Sequence, residues 1–227
     1  MSPLIRYQLA LLLRSQRWLP PVLLFVLLIV LGSFGGQQYG DSLGWCAGML
    51  VPACAWLTRT VLTGEPEPAR ACVAAASGPH RAHLAPLTAA LAVNSVLALA
   101  GGVFEWLASS PPVGVAHPPL AEIAGHGALS VLVGLLAGTA LGALCAPPVL
   151  RRPAAAVLTL SGASLALLVA PVSPVNMAVR DVFTSGSRNA ATTAPLLPLL
   201  AAAVLLALAW TVAVHAAGRA AGRTAGE

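Results

Sequence analysis

The sequence predicts an all-α membrane protein with six transmembrane helices, and three observations carry that prediction. Of the 227 residues, 58% are hydrophobic. Only 8% are charged, against about 25% in a soluble domain, so the chain cannot cover itself with a water-facing surface. The apolar residues also fall into runs close to the ~20 residues that cross a bilayer as a helix. The mean hydropathy of +0.84 agrees, and the length leaves room for several spans with short loops but no second, soluble domain.

Residues 1–17 precede the first span and read as an interfacial amphipathic helix. At 100° per residue, Arg6, Arg14 and Arg17 fall within about 80° of arc. Leu4, Ile5, Leu11 and Leu12 lie mostly opposite, as in a helix lying flat on the inner leaflet, although Leu9 and Leu13 blur the pattern. A plain cationic flank is the alternative. The transmembrane domain is expected over 18–217, with spans at about 18–34, 43–62, 84–107, 122–146, 154–172 and 195–215, and a cytoplasmic tail at 218–227. Pro20 and Pro21 fit the first turn of the first span. A cleaved signal peptide is the rival reading of that stretch, but its basic region is long and no clean cleavage site follows Leu31.

The arginines set the orientation. The chain has no lysine, and ten of its twelve arginines (Arg6, Arg14, Arg17, Arg59, Arg70, Arg81, Arg151, Arg152, Arg219 and Arg223) fall on one side of these spans. Arg180 and Arg188 fall on the other. Cationic loops stay inside, so both termini are expected in the cytoplasm of a bacterial inner membrane. High Ala, Gly, Pro and Arg use without Lys hints at a GC-rich bacterial genome. Trp18 and Trp210 then mark the inner interface and Trp45 and Trp106 the outer one, while Trp56 sits deeper, as a packing residue. The arginines form no patch interleaved with aromatics, so a nucleic-acid partner is not expected. Cys46, Cys54, Cys72 and Cys145 lack zinc-ligand spacing and read as small packing residues. Gly134, Gly138 and Gly142 form a ridge at spacing four that lets another helix approach closely.

Catalytic motifs are missing. Without lysine there is no P-loop, and neither a zinc-protease motif nor a serine-hydrolase elbow occurs. Glu122 and His126, one turn apart at the outer start of the fourth span, could form a proton or ligand site, because intramembrane ionisable groups are costly. A carboxylate stabilised at a helix N-terminus after Pro118-Pro119 is the blander reading, and Glu105 lies at similar depth. The polar residues within the spans (Thr88, Asn94, Ser95, Ser130, Thr139, Thr159, Ser161 and Ser164) are uncharged. Asn94, Ser95, Ser130 and Ser161 are the candidates for a translocation path, with interhelical hydrogen bonding as the alternative for each. Such a path suits an amphipathic or lipophilic solute better than a hydrophilic ion.

Between the second and third spans, prolines and glutamates at Glu65-Pro66-Glu67-Pro68 open a short helix, and Gly78-Pro79 closes it. Held between two spans, it is either a docking surface or a capped connector.

Taken together, the lead-in at 3–17, the six spans, the helix over 65–81 with Gly78-Pro79-His80-Arg81, the run Pro147-Pro148-Val149-Leu150-Arg151-Arg152-Pro153 and the stretch Pro171-Val172-Ser173-Pro174-Val175-Asn176 resemble the permease subunit of a type 2 ABC transporter, built on the type V exporter fold. The order of elements carries the resemblance, in a small six-span bacterial form. It implies no catalysis and no cofactor in this chain, with ATP and Mg bound by a separate ATPase subunit. It also implies a second permease copy or a related permease, and surrounding lipid. ATPase coupling would fall in the region of Glu65, Glu67, Arg70, Ala74, Ser77, Gly78, His80 and Arg81, and residues 175–183 would form short extracellular or re-entrant helices. The expected role is export of a drug, antibiotic, peptide or lipid. The alternatives are a small intramembrane enzyme or proton-coupled carrier using Glu122 and His126, and a non-transporting membrane partner.

Overall fold

The structure, a computed structural model, describes residues 2–33, 37–110, 119–150, 152–187 and 195–224. Its helices are α1 (Ser2–Ser15), α2 (Leu19–Ser33), α3 (Tyr39–Thr63), α4 (Glu67–Ser77), α5 (Pro79–Ala108), α6 (Leu120–Leu144), α7 (Pro153–Val169), α8 (Pro174–Ser187) and α9 (Leu196–Thr224). Four helices are long and apolar enough to cross a membrane, and six crossings result if two bent pairs count as one each: α1 with α2, bent by 76°, and α7 with α8, bent by 42°. The chain is a multi-span, largely helical membrane protein.

Contacts along the bundle fix the direction of each helix. Ser33 at the end of α2 donates to Glu105 near the end of α5, and the Ser110 amide donates to the Gln37 carbonyl just before α3. These ends therefore lie together. At the other end, Leu62, Leu87, Ala143 and Ala146 pack with Trp210 and Val214 of α9. Successive crossings alternate in direction as short connections require. Arg6, Arg14, Arg17, Arg59, Arg70, Arg81, Arg152 and Arg219 thus gather at one end, while Asp41, Glu105, Glu122, Asp181 and Arg180 gather at the other. Arg151 and Arg188, which also enter the orientation argument, lie outside the described residues, as does Pro118.

The central pair is α3 and α6. Along their seam, a Cβ added at Gly134, Gly138 or Gly142 would run into the carbonyl oxygens of Ala47, Val51 and Ala55 respectively. Spacing of four on both helices keeps the two backbones in contact over two turns, which only glycine permits. Asn94 of α5 locks the pair from the side. Its amide donates to Thr58 at 2.8 Å and to Thr139 at 2.9 Å, joining three helices in the protein interior.

Several boundaries differ from expectation. The short helix expected to open at Glu65-Pro66-Glu67-Pro68 and to close at Gly78-Pro79 is α4, whereas the wider region 65–81 spans two helices, because Gly78 adopts φ +86° and the following proline starts α5. His80 and Arg81 therefore belong to the first turn of α5. Most of the expected tail is helical, since α9 continues to Thr224. Trp56 is 39% exposed on the outside of the bundle instead of packing within it. Cys46, Cys54 and Cys145 are buried, whereas Cys72 is exposed on α4.

The fifth span, expected over 154–172, is α7, which ends at Val169, and residues 175–183, where short extracellular or re-entrant helices were expected, fall within α8. Pro171 and Pro174 separate the two helices, because their rings cannot continue a helix. Val175 and Ala178 of α8 pack with Val51, Val133, Ala137 and Ala202, at mid-height of α3 and α6, so α8 is embedded in the bundle. Non-helical backbone at such depth must find partners inside the protein. It does: the Asn176 amide donates to the Leu168 carbonyl at 2.6 Å, and the Val175 amide donates to the Ser173 hydroxyl at 3.2 Å.

Candidate functional site

The residues singled out for coupling lie at the arginine-bearing end. There α3 stops at Thr63, and its last carbonyls lack helical acceptance partners. Arg70 supplies one: its Nη2 donates to the Leu62 carbonyl at 2.9 Å and to the Glu65 carbonyl at 3.3 Å. The guanidinium thus folds inward and clamps α4 onto the end of α3. Glu65 also turns inward. Its Oε2 accepts from Gln8 Nε2 of α1 at 3.0 Å, so the connector is tied to the amphipathic lead-in as well.

These two ties leave α4 held at its start and free along one side. No residue of α4 is fully buried. Glu67, Pro68, Ala71, Cys72, Ala75 and Ala76 are exposed, following the i, i+1, i+4, i+5 rhythm of one helical face. Past Glu67 this face carries only small side chains. Ser77 closes the helix by donating to the Val73 carbonyl at 2.7 Å, and Gly78 turns the chain into α5. His80 and Arg81 are exposed beside it.

The four candidates for a path are not brought together around a shared cavity. Asn94 and Ser130 are fully buried, and Ser130 donates to the Ala178 carbonyl of α8 at 3.1 Å. Ser95 and Ser161 face outward on α5 and α7, and Ser95 donates to its own helix at the Leu91 carbonyl. Glu122 is exposed at the start of α6, and His126 lies within electrostatic reach of Asp181 from α8. Among the described residues, no three His, Cys, Asp or Glu side chains gather as a metal site would need.

Two buried polar residues, Gln8 and His83, escape a reading of the sequence, and a third, Glu105, is enclosed more fully than the sequence indicates. Gln8 sits among Ile5, Leu9 and Leu12 on the inward stripe of α1, a position where the sequence alone shows a polar interruption. His83 is buried because α5 begins earlier than its hydrophobic run. Glu105 is 1% exposed, enclosed by α2 and α3, and accepts from Ser33 at 3.2 Å. Its depth depends on neighbours that no local pattern reveals.

No protein-family model, no curated protein and no solved structure matches this chain.

Proposed function

We propose that the chain is the membrane subunit of an ATP-driven ABC exporter that moves an amphipathic or lipophilic solute out of the cell. The arginine-bearing end faces the cytoplasm of the inner membrane in this reading, with both termini there. The observation that carries it is α4: a short helix between two crossings, tied by Arg70 and Glu65 to α3 and α1, with an exposed face of Ala71, Cys72, Ala75 and Ala76. Small side chains let a partner's backbone come close, and the Arg70 tie would pass a push on α4 to α3 of the central pair, while the Glu65 tie would pass it to α1.

The partner is a separate ATPase subunit that binds ATP and Mg, since this chain lacks a P-loop. A second copy of the chain, or a related permease, completes the transporter within the lipid. The uncharged interior, crossed by Asn94, Thr58 and Thr139, suits a solute without fixed charge. The break between α7 and α8 supports the reading too, because interrupted helices recur around the substrate sites of membrane transporters.

The test is co-purification of an ATPase with the chain in gentle detergent, followed by disruption of the α4 face. Ala75→Trp combined with Glu67→Arg should abolish co-purification and solute-stimulated hydrolysis at matched expression. Retention of both activities by this variant would remove α4 as the docking element.

A further inference from the structure

Beside α4 lies a cavity of about 250 Å³ formed by α1, the end of α3, α4, α5 and the end of α9. Its walls are largely apolar, but two of its polar side chains are more than nine-tenths buried: Glu65 at 6% exposure and His83 at 9%. Glu65 Oε1 and His83 Nε2 make no hydrogen bond of normal geometry among the described residues, and the Tyr7 hydroxyl of α1 lies within reach of the same Glu65 carboxylate. A buried polar atom without a partner is costly, and a carboxylate oxygen most of all. Gln8 occupies only the other carboxylate oxygen, and the Arg70 Nη2 group is committed to backbone carbonyls. Glu67 adds a second carboxylate at the rim, so two acids line the cavity against one guanidinium.

We propose that this cavity binds a primary ammonium group. Such a group supplies a positive charge and three N–H donors. The donors match Glu65 Oε1, His83 Nε2 in its Nδ1-protonated tautomer, and the amide oxygen of Gln8. The volume falls below the roughly 300–1,000 Å³ of sites for drug-sized ligands, which suits a headgroup or a small amine. A quaternary ammonium offers charge but no N–H, and so leaves both orphaned atoms unsatisfied. The ammonium can arrive on an ethanolamine lipid headgroup or as a free soluble amine, and the chemistry of the site is the same for both. The inference goes beyond the transport reading and needs no ATPase, so it is tested on the chain alone.

The purified chain is placed in phosphatidylcholine nanodiscs, and its thermal unfolding is followed with added ethanolamine, with added choline, and with phosphatidylethanolamine replacing part of the lipid. Ethanolamine or phosphatidylethanolamine should raise the unfolding temperature while choline leaves it unchanged. A response to the lipid alone identifies a headgroup site, and a response to free ethanolamine identifies a soluble amine. Glu65→Gln, which removes the charge but keeps an acceptor for Gln8, should weaken binding about tenfold or more, the scale of a lost charge-assisted hydrogen bond. Ala74→Leu, which fills the cavity from α4 without touching its polar groups, should block binding in a folded chain even where Glu65→Gln fails to express. Equal stabilisation by choline, no stabilisation by either amine, or undiminished binding in Ala74→Leu would each overturn the proposal.

Discussion

Small residues serve opposite purposes in two regions of this molecule. In the α3–α6 seam, Gly134, Gly138 and Gly142 lie against the backbone of Ala47, Val51 and Ala55, and nothing fits between the helices. On α4, Ala71, Ala75 and Ala76 are exposed among the described residues. The same lack of side-chain bulk gives intimate packing in one place and an open, flat surface in the other. Smallness therefore sets how close a neighbour can come, and the tertiary structure sets whether a neighbour is there.

That contrast can be broken from the seam side first. Gly138→Leu would drive a side chain into the Val51 carbonyl and separate the central pair. Overpacking of this kind costs about 1–3 kcal/mol or more, and a backbone contact cannot yield as a side chain can. The expected outcome is loss of folded protein in detergent, measured by size-exclusion yield and thermal unfolding. Ala75→Leu on α4 should leave both unchanged, within about 0.5 kcal/mol, as for an exposed surface site.

Asn94→Ala is expected to have the next largest effect. It removes the donors to Thr58 and Thr139 and leaves two hydroxyls in the interior with fewer partners. Interhelical hydrogen bonds in membranes are worth about 0.6–2 kcal/mol, so the variant should unfold at a lower temperature yet remain assembled. Unchanged unfolding would show that glycine packing alone holds the seam.

A third test concerns exposure alone. With Cys46, Cys54 and Cys145 buried, Cys72 is the exposed cysteine among the four. A thiol reagent applied to the purified native chain should label Cys72 and spare the rest. In intact cells a membrane-impermeant reagent should leave Cys72 unlabelled until the membrane is opened, if the arginine-bearing end is cytoplasmic. Labelling without permeabilisation would invert the proposed orientation. A bound ATPase should slow the labelling in opened cells, and it should have no effect in the Ala75→Trp, Glu67→Arg variant.

The smallest effects are expected at the acidic end. Glu122 is exposed, and Glu122→Gln or His126→Gln should leave most transport activity at matched expression. Complete loss in a well-folded variant would bring forward the carrier or enzyme reading.

Much of this architecture is legible in the chain because the bilayer imposes a simple rule on composition. A run of apolar residues must be a helix long enough to satisfy its own backbone, so the existence of the main helices follows from hydropathy. Arginines gather at one end of the bundle for the same local reason. Helix ends written in proline and glycine are legible too, as Gly78-Pro79 shows. The break after α7 was visible as Pro171 and Pro174 and a short helix was expected beyond it, but whether that helix lies outside or within the bundle was not legible. Whether the segment after such a break leaves the protein or re-enters it depends on a surface offered by other helices, here the cluster around Val51, Val133 and Ala202.

By itself, then, the sequence determined a multi-span helical membrane protein, the approximate places of its helices, and a glycine ridge able to receive a neighbour. Those properties depend on residues close in the chain and on the solvent around them. Only the tertiary structure decided that the ridge meets α3, that Arg70 and Glu65 turn inward, that α8 enters the bundle, and that Gln8 and His83 share a cavity wall. Each of these joins residues far apart in sequence, where the outcome depends on which buried polar group finds a partner and which side chain leaves room for another.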